Sequence, residues 1–507
     1  MNSFSNNYDI VIVGGGAAGF AALASAVSKN NTAVLIEKEE RLGGTTNFAV
    51  GSITAANTYR QKEKGILDST ADFFEDLLIA SRERNIEEIR DKTFLKLYAE
   101  EAGITVDWLK ELGIVFVGPS PESPHRVPRM HNVVPNSYTY IHRLLRYSLR
   151  RGAKVIKSFR ATQLLLDEED KVVGVSGNSR SGKHFQLKAK KGVIVATGPY
   201  SANKDLLREL IPEYVETEAV NSAATGDGIT MCRKVGAKIK DTNIETTQFR
   251  FGGRTTGSIG RLATWWLLPR AISWIIENSP DSFTKRLVVK LSTTYTAPSY
   301  KIFLEGGILI NSDGNRFVNE LSEPYPYVLA RKAASLPRKD FYILFDSFTG
   351  VKLMRWPNYI STFPGIAYAY LGDYLKFRKD VILKSKSIEI VARKSHLNID
   401  DLRSTVNRYN EFAAKGIDLD FGRKELKVID SPPYYLLGPF RPVITVTEGG
   451  IAINRNCQAL DTHGNVIPGL YVIGDGSAGP LNVSHGMHIG WALTSGRLSV
   501  SSIVEEY

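Results

Sequence analysis

The chain has 507 residues and a formal net charge of +11. This length exceeds what one hydrophobic core usually supports, so we expect two domains or more. Its lysines and arginines are dispersed and form no basic stripe interleaved with aromatic residues, which argues against a nucleic-acid partner. The two cysteines, Cys232 and Cys457, lie far apart, so we expect neither a disulfide nor a thiolate metal site.

The first predicted strand begins within ten residues of the N-terminus, and no basic-then-apolar leader precedes it. We therefore expect a cytoplasmic protein without a secretory signal. The short β-branched run Ile10–Val13 predicts a strand that is buried on both faces. In the Gly14-x-Gly16-x-x-Gly19 sequence that follows, Gly14 permits a tight turn and Gly16 admits a pyrophosphate. The third glycine, Gly19, lets the next helix pack against the strand.

A second apolar run, Ala33–Ile36, ends in Glu37. This acid lies about 20 residues after the glycines, where a carboxylate accepts hydrogen bonds from the ribose of an adenine dinucleotide. Directly afterwards comes Gly43-Gly44-Thr45-Thr46. Small residues here expose backbone N–H groups, which suits a flavin whose diphosphate and ribityl chain run along the protein. We therefore expect FAD.

These motifs resemble the N-terminus of the fumarate reductase/succinate dehydrogenase flavoprotein superfamily, and the glycine–threonine loop is most similar to its 3-ketosteroid dehydrogenase branch. Members with covalent flavin carry a histidine near this loop, but none lies between Arg41 and Ala56, so the resemblance implies non-covalent FAD. It implies an α/β fold in which a Rossmann-like (two-dinucleotide-binding type) FAD domain carries an inserted α+β substrate (capping) domain. The predicted bounds are 1–241 and 447–507 for the FAD domain, and 242–446 for the capping domain.

Helical spacing over Ser69–Leu112 and Tyr140–Arg151 predicts helices. The proline-rich segment Gly118–Pro135 between them predicts a loop, solvated by default, that would also be able to reach over the flavin. Three short strands are expected after the second helix, at Lys154–Phe159, Thr162–Asp167 and Lys171–Val175.

Later motifs are similar to FAD-binding sequences of the superfamily: the Ala196-Thr197-Gly198 turn followed by Asn203, the box around Asp227, and Gly474-Asp475. The resemblance also places the N-terminus of the last helix, with Ile489, at the flavin edge. The predicted cofactor-binding residues are Gly14, Gly16, Ala17, Ala18, Gly19, Glu37, Lys38, Gly43, Gly44, Thr45, Thr46, Ala196, Thr197, Gly198, Asn203, Asp227, Gly474, Asp475 and Ile489.

The segment 262–276 is apolar and rich in tryptophan, but it is shorter than the roughly 20 residues that a membrane span needs. With basic residues nearby, it fits either peripheral contact with a membrane interface or an apolar wall of the substrate cavity or of a dimer contact. Both alternatives stay open. A strand–turn–strand is expected over 305–320, and two helices over Ser387–Phe412.

The resemblance assigns catalytic roles as well. Tyr325 matches a catalytic tyrosine of ketosteroid dehydrogenases, although the spacing leaves Tyr327 as an alternative. In the same relatives a glycine that Gly486 matches gives its N–H to the substrate ketone. Beside it, His485 and His488 are candidates to polarise a carbonyl or to relay a proton.

The leading hypothesis is an FAD-dependent dehydrogenase or reductase acting on the C–C bond beside a ketone in a hydrophobic, steroid-like substrate, with an external electron acceptor. The first alternative is a reductase of an unsaturated carboxylate. That reaction needs an arginine clamp, for which Arg126, Arg129 and Arg331 are the remaining candidates. The second alternative is a catalytically inactive, membrane-associated flavoprotein.

Overall fold

The computed structural model describes residues 7–83, 92–242, 247–251, 268–278, 298–322, 326–363, 367–480 and 482–506. Within these ranges the chain forms the mixed α/β fold that the sequence predicts. Its strands are β1 (Asn7–Val13), β2 (Ala33–Glu37), β3 (Ser52–Thr54), β4 (Phe116–Ser120), β5 (Met130–Val133), β6 (Lys154–Lys157), β7 (Phe159–Leu166), β8 (Val172–Ser179), β9 (His184–Val195), β10 (Glu218–Ala219), β11 (Ile239–Lys240), β12 (Thr247–Phe251), β13 (Ile308–Asn311), β14 (Phe341–Phe345), β15 (Ser361–Phe363), β16 (Ala367–Ala369), β17 (Ile382–Ser385), β18 (Tyr434–Ile444), β19 (Gly450–Ile451), β20 (Gln458–Leu460) and β21 (Val466–Val472).

The helices follow the predicted helical patterns closely. The predicted region 69–112 contains helices at 70–83 and 92–111. The predicted region 140–151 corresponds to a helix at 138–150, and the predicted region 387–412 contains helices at 388–395 and 399–415. The helices are α1 (Ala17–Ser28), α2 (Tyr59–Glu63), α3 (Thr70–Glu83), α4 (Lys92–Glu111), α5 (Tyr138–Arg150), α6 (Lys204–Leu210), α7 (Asp227–Lys234), α8 (Leu268–Asn278), α9 (Lys301–Leu304), α10 (Pro326–Ala334), α11 (Ser347–Lys352), α12 (Leu371–Phe377), α13 (Ile388–Ser395), α14 (Ile399–Lys415) and α15 (Met487–Glu506).

The first sheet has the strand order β20-β21-β9-β1-β2-β6, and β7 and β8 join it as an antiparallel pair through β9. Strand β1 runs parallel to β2 and β9, and β21 runs parallel to β9. Parallel strands place their carboxyl ends along one edge, which is where open α/β sheets bind ligands. The turn after β1, Glu37 at the end of β2 and the residues after β21 therefore lie at the same edge.

The first and last helices pack together through small residues. A Cβ at Gly496 of α15 would lie 2.5 Å from the carbonyl oxygen of Ala18 in α1, and a Cβ at Gly474 would lie 3.0 Å from Cβ of Ala18. A third close approach lies within the turn itself, where a Cβ at Gly19 would lie 1.9 Å from the carbonyl oxygen of Gly14. These contacts hold the residues after β21 against the N-terminus of α1.

We expect Gly19→Ala to destabilise the protein, because the added methyl group would overlap the backbone of the glycine turn. Overpacking of a dense core usually costs about 1–3 kcal/mol. Urea denaturation followed by circular dichroism measures the loss. The matched control is Gly372→Ala in α12, where the added Cβ would meet only the end of the Met354 side chain. Equal stability of the Gly19 variant and wild type would contradict the close packing of α1.

The second sheet is organised around β18, which pairs with β10, β12, β14 and β17, while β13 extends it through β14. The buried clusters on this sheet draw on residues 249–440, whereas the cluster of the first sheet draws on residues 8–239 and 444–504. The domain boundaries at 242 and 446 stay a prediction.

The segment 305–320 differs from the predicted strand–turn–strand. The first predicted strand is β13. In place of the second predicted strand, the structure has an isolated antiparallel bridge between Arg316 and Ile310 of β13. The buried guanidinium of Arg316 lies 2.9 Å from Glu320 and 3.1 Å from Asp418, and that of Arg423 lies 3.0 Å from Glu320. Buried ionic groups are tolerated when each is paired in this way. These paired charges therefore help to hold the second sheet together.

Of the apolar segment 262–276, the structure describes the part from residue 268 onward, which lies in α8. The helix turns Ser273 inward and leaves the ring of Trp274 66 % exposed. Membrane contact and an apolar wall both stay predictions for this segment. In the described part of the chain, no helix has the length and apolar character that a membrane crossing requires.

Candidate functional site

The glycine turn after β1 forms an open cradle at the N-terminus of α1. Gly14 has a φ of +113°, and a Cβ there would lie 2.3 Å from the carbonyl oxygen of Ala196. The backbone of Gly16 faces open space, because the nearest atoms to a Cβ there would belong to Gly43 and Thr46 at 3.9 and 4.0 Å. The positive end of the helix and the backbone N–H groups of its first turn suit a diphosphate in this space.

The second glycine loop is tied to the first. The N–H of Gly43 donates to the carbonyl oxygen of Gly15 at 2.8 Å, and the N–H of Ala17 donates to Oγ1 of Thr46 at 3.2 Å. The neighbouring Thr45 hydroxyl accepts from the side chain of Asn221 at 3.0 Å. The two glycine loops therefore lie side by side, and we call the space next to them the groove.

Glu37 ends β2 beside this groove. Its two carboxylate oxygens accept the N–H groups of Gly15 at 2.7 Å and Glu39 at 2.8 Å. Burial raises the pKa of Glu37 above its ordinary value, and these hydrogen bonds oppose that rise. The carboxylate is thus fixed in direction, and each oxygen keeps a lone pair with which to accept a ribose hydroxyl.

We expect Glu37→Gln to weaken FAD binding by about 10- to 100-fold, because an amide cannot accept on both sides as the carboxylate does. This range follows from the roughly 1.5–3 kcal/mol carried by a hydrogen bond to a charged group. Titration of the apoprotein with FAD, followed by flavin fluorescence, measures the change. The matched control is Glu39→Gln, since that side chain is exposed. An unchanged dissociation constant for the Glu37 variant would contradict the ribose assignment.

Three predicted cofactor residues contact other protein groups. Asp227 lies 2.7 Å from Arg160 and 3.0 Å from Lys38; burial raises the pKa of Asp227, but hydrogen bonds from these cations bring it below its ordinary value. Asn203 accepts two backbone N–H groups at the start of α6 and donates to the carbonyl oxygen of Thr225. These contacts give Lys38, Asp227 and Asn203 a supporting role, and their direct contact with the cofactor stays a prediction.

The turn after β9 faces the same groove. Ala196 donates its N–H to Val13 at 2.7 Å, and Gly198 adopts a positive φ of +72° with open space where a Cβ would be. Between them, Oγ1 of Thr197 is buried and makes no hydrogen bond with any residue that the structure describes. Together with the open cradle, this unpaired hydroxyl fits a polar ligand such as FAD.

A charged cluster lies at the C-terminal side of the groove, and the sequence predicted two of its three members, Asp475 and His488. Nδ1 of His488 lies 2.8 Å from Asp475, and its Nε2 lies 3.4 Å from Glu448. Burial alone would lower the pKa of His488, but the two carboxylates raise it to about 10. The imidazole is therefore a cation at neutral pH. The sequence did not predict Glu448 as a site residue; it lies in the run Thr447-Glu448-Gly449-Gly450.

The cluster predicts a pH-dependent contribution to stability. Because the pKa of His488 is about 10 when folded and 6.5 when unfolded, its protonation stabilises the fold fully below pH 6.5. That contribution is lost as the pH rises through 10. We therefore expect the difference in free energy of unfolding between wild type and His488→Gln, measured by urea titration, to decrease as the pH rises from 6.5 to about 10. His463→Gln, at an exposed position, is the control. A difference independent of pH would contradict the ion-pair assignment.

The residues just before α15 form the other wall of the site. Gly486 has a φ of +80°, and a Cβ there would lie 2.7 Å from the carbonyl oxygen of Ser52. His485 is 65 % exposed and pairs with Glu122, while Ser484 lies 2.7 Å from Nε2 of His125. Ile489 packs partly buried against the first core. The structure thus brings one predicted catalytic residue, His485, beside the loop after β4, and it places another, Gly486, against β3.

That loop is less solvated than the sequence predicts. Arg129 is fully buried between Asp68 and Asp76, and Arg126 pairs with Asp72, Glu75 and Asp76. The prediction of a solvated loop therefore holds for residues 121–128, which are exposed or half-buried, but not for residues 129–134, which are buried. Its reach toward the C-terminal segment is seen in the contacts of His125 and Glu122.

His131, from the same loop, is also fully buried, and burial lowers the pKa of this imidazole to about 4. Its Nε2 lies 2.8 Å from Oγ1 of Thr58. Tyr325 lies outside the described residues. Tyr327 lies in α10, and the choice between the two phenols stays a prediction.

The fold and the groove define an α/β dinucleotide-binding protein built for an extended, flavin-type cofactor. The chain belongs to the FAD binding domain family, whose model matches residues 9–255 and 299–488. FAD is its cofactor, and the chain is an FAD-dependent oxidoreductase.

Two relatives and one solved structure show the range of similarity. The chain is 27% identical over 521 residues to a vinyl phenol reductase of Lactiplantibacillus plantarum, covering 97% of this chain and 96% of that protein. It is 25% identical over 485 residues to a probable fumarate reductase of Shewanella frigidimarina, covering 94% of this chain and 71% of the relative. A flavocytochrome c3 fumarate reductase in an open conformation superimposes with a TM-score of 0.76 at 23% identity, covering 99% and 78% of the two chains.

These comparisons confirm the fumarate reductase flavoprotein superfamily but do not extend to the ketosteroid branch. A 3-ketosteroid-Δ4-(5α)-dehydrogenase from Rhodococcus jostii has a TM-score of 0.64 at 19% identity, covering 99% of this chain and 98% of the other. At that identity the likeness shows the fold alone. The closer resemblance of the glycine–threonine loop to the ketosteroid branch therefore stays a prediction.

Proposed function

We propose that this protein is an FAD-dependent reductase of an activated C=C bond whose activating group is an uncharged oxygen, as in a conjugated enone or a vinylphenol. Two relatives that support reduction over desaturation are named as reductases. One of them is a vinyl phenol reductase, and the chain matches nearly the full length of that protein. The proposal retains the hydrophobic substrate of the leading hypothesis and replaces desaturation by reduction.

The observation that carries the choice of substrate is the state of two arginines. A substrate carboxylate needs a free guanidinium, since a bidentate arginine is its best partner. Arg126 and Arg129 are the arginines of the loop that reaches the site, and both are paired with protein carboxylates. Moving either to a substrate would leave Asp76 buried beside fewer cations, which is costly. The loop is therefore better suited to an uncharged substrate.

Bound FAD supplies the hydride chemistry. The chain's own residues bind the dinucleotide through the two glycine loops and Glu37, and they hold a proton at His488 between two carboxylates. For a conjugated enone, hydrogen-bond donors before α15 polarise the carbonyl oxygen, which makes the β-carbon more electrophilic. Tyr325 remains the proposed proton-transfer residue. We also propose that FAD is held non-covalently and that an external donor or acceptor exchanges electrons with it.

The direct test uses the FAD-loaded protein, reduced with dithionite without oxygen and mixed with one candidate at a time. The panel is 4-vinylphenol, 4-androstene-3,17-dione and fumarate, and the return of oxidised-flavin absorbance gives the rate. We expect the vinylphenol or the enone to reoxidise the flavin at least tenfold faster than fumarate does.

A faster reaction with fumarate would instead favour the unsaturated-carboxylate reductase and would point to another arginine, such as Arg331 on α10. Reoxidation by none of the three compounds would contradict the proposed function. The same protein in its oxidised form, mixed with the saturated ketone, tests the dehydrogenase direction, where bleaching of the flavin band is the positive result.

A further inference from the structure

His125 and Ser484 come from remote parts of the chain and meet beside the last helix. His125 lies in the loop between β4 and β5, and its Nε2 is 2.7 Å from Oγ of Ser484. The ring of Phe73 packs against this imidazole with a centroid distance of 5.6 Å, which restrains its rotation. The contact therefore fixes two polar side chains at the wall of the proposed substrate site.

The other ring nitrogen of His125 determines which tautomer is present. Nη1 of Arg129 lies 3.3 Å from Nδ1 of His125, and a guanidinium can only donate. Arg129 itself is locked by Asp68, with Nε–Oδ2 and Nη2–Oδ1 distances of 2.8 and 2.7 Å, and by Asp76. Nδ1 of His125 is thus an acceptor that cannot carry a proton.

His125 is also neutral. Burial lowers the pKa of this histidine below its ordinary value, and the charge of Arg129 lowers it further, against the opposing effect of the Glu122, Asp76 and Asp68 carboxylates. A neutral imidazole that accepts at Nδ1 carries its proton on Nε2. The Nε2–H group of His125 therefore donates to Oγ of Ser484.

This donation determines how the hydroxyl of Ser484 is used. Its oxygen already accepts from His125, so its own hydrogen points to a different partner. Within the described ranges, Oγ of Ser484 makes no second hydrogen bond. The side chain is half-buried and lies two residues before Gly486, in the segment that leads into α15.

We propose that Ser484 binds the activating oxygen of the substrate by donating a hydrogen bond, and that His125 is the positioning residue that holds it in the donating orientation. This inference rests on the proposed function. The ligand class is an uncharged conjugated alkene whose carbonyl or phenol oxygen accepts the bond. Arg129 and its two aspartates act on Ser484 only through the tautomer of His125.

The test measures binding separately from turnover, in the FAD-loaded oxidised protein. Each panel compound that reoxidises the wild-type flavin is titrated in, and the perturbation of the flavin absorbance gives its dissociation constant. We expect Ser484→Ala to weaken binding of that compound about tenfold, as the loss of one net hydrogen bond does. FAD affinity and thermal stability should stay as in wild type. Ser181→Ala, at an exposed turn, is the matched control.

Variants of His125 separate positioning from packing. His125→Phe should weaken binding as much as Ser484→Ala does, and the double variant should be no weaker than either, because the two residues act as one unit. His125→Gln should restore most of the affinity, since an amide accepts from Arg129 with its oxygen and donates to Ser484 with its nitrogen.

Unchanged affinity in Ser484→Ala, with a wild type that reacts, would overturn this inference and leave the proposed reductase function intact. If His125→Gln weakens substrate binding as much as His125→Phe does, the positioning role of His125 toward Ser484 is overturned. A wild type that reacts with none of the panel would overturn both proposals together.

Discussion

The close contact between the first and last helices is the constraint on which the rest of the molecule depends. It exists because Ala18 lies against Gly496 of the last helix and against Gly474 before it, where the absence of a side chain lets the backbones approach closely. The contact brings the C-terminal segment, with Asp475 and His488, to the carboxyl edge of a sheet whose first strand begins at residue 7. Without it the groove would have only one wall.

Pairing of charges shapes the site within that frame. Carboxylates outnumber the cations around Arg129, and this arginine serves as a fixed donor to His125 while its charge is neutralised by Asp68 and Asp76. On the opposite side, His488 is a cation between two acids. Both of these charges thus have protein partners, which avoids the cost of isolated buried charges.

The second sheet and its buried ionic network form a separate core around β18. Ion pairs link four residues there, namely Arg316, Glu320, Asp418 and Arg423, so these charges serve the stability of the second core. The specificity proposed for this protein depends instead on the loop between β4 and β5 and on the residues before α15.

The sequence by itself determined the dinucleotide turn, the acid at Glu37, the FAD cofactor and the order of the main helices, because these depend on local periodicity and on backbone needs that particular residues meet. Only the tertiary structure decided the partners of Asp227 and of His488, since these contacts join separate elements of the chain. It also decided that Arg129 is buried and that His125 meets Ser484 across 359 positions. No local pattern records such a contact, because it arises when the two ends of the chain pack into one core.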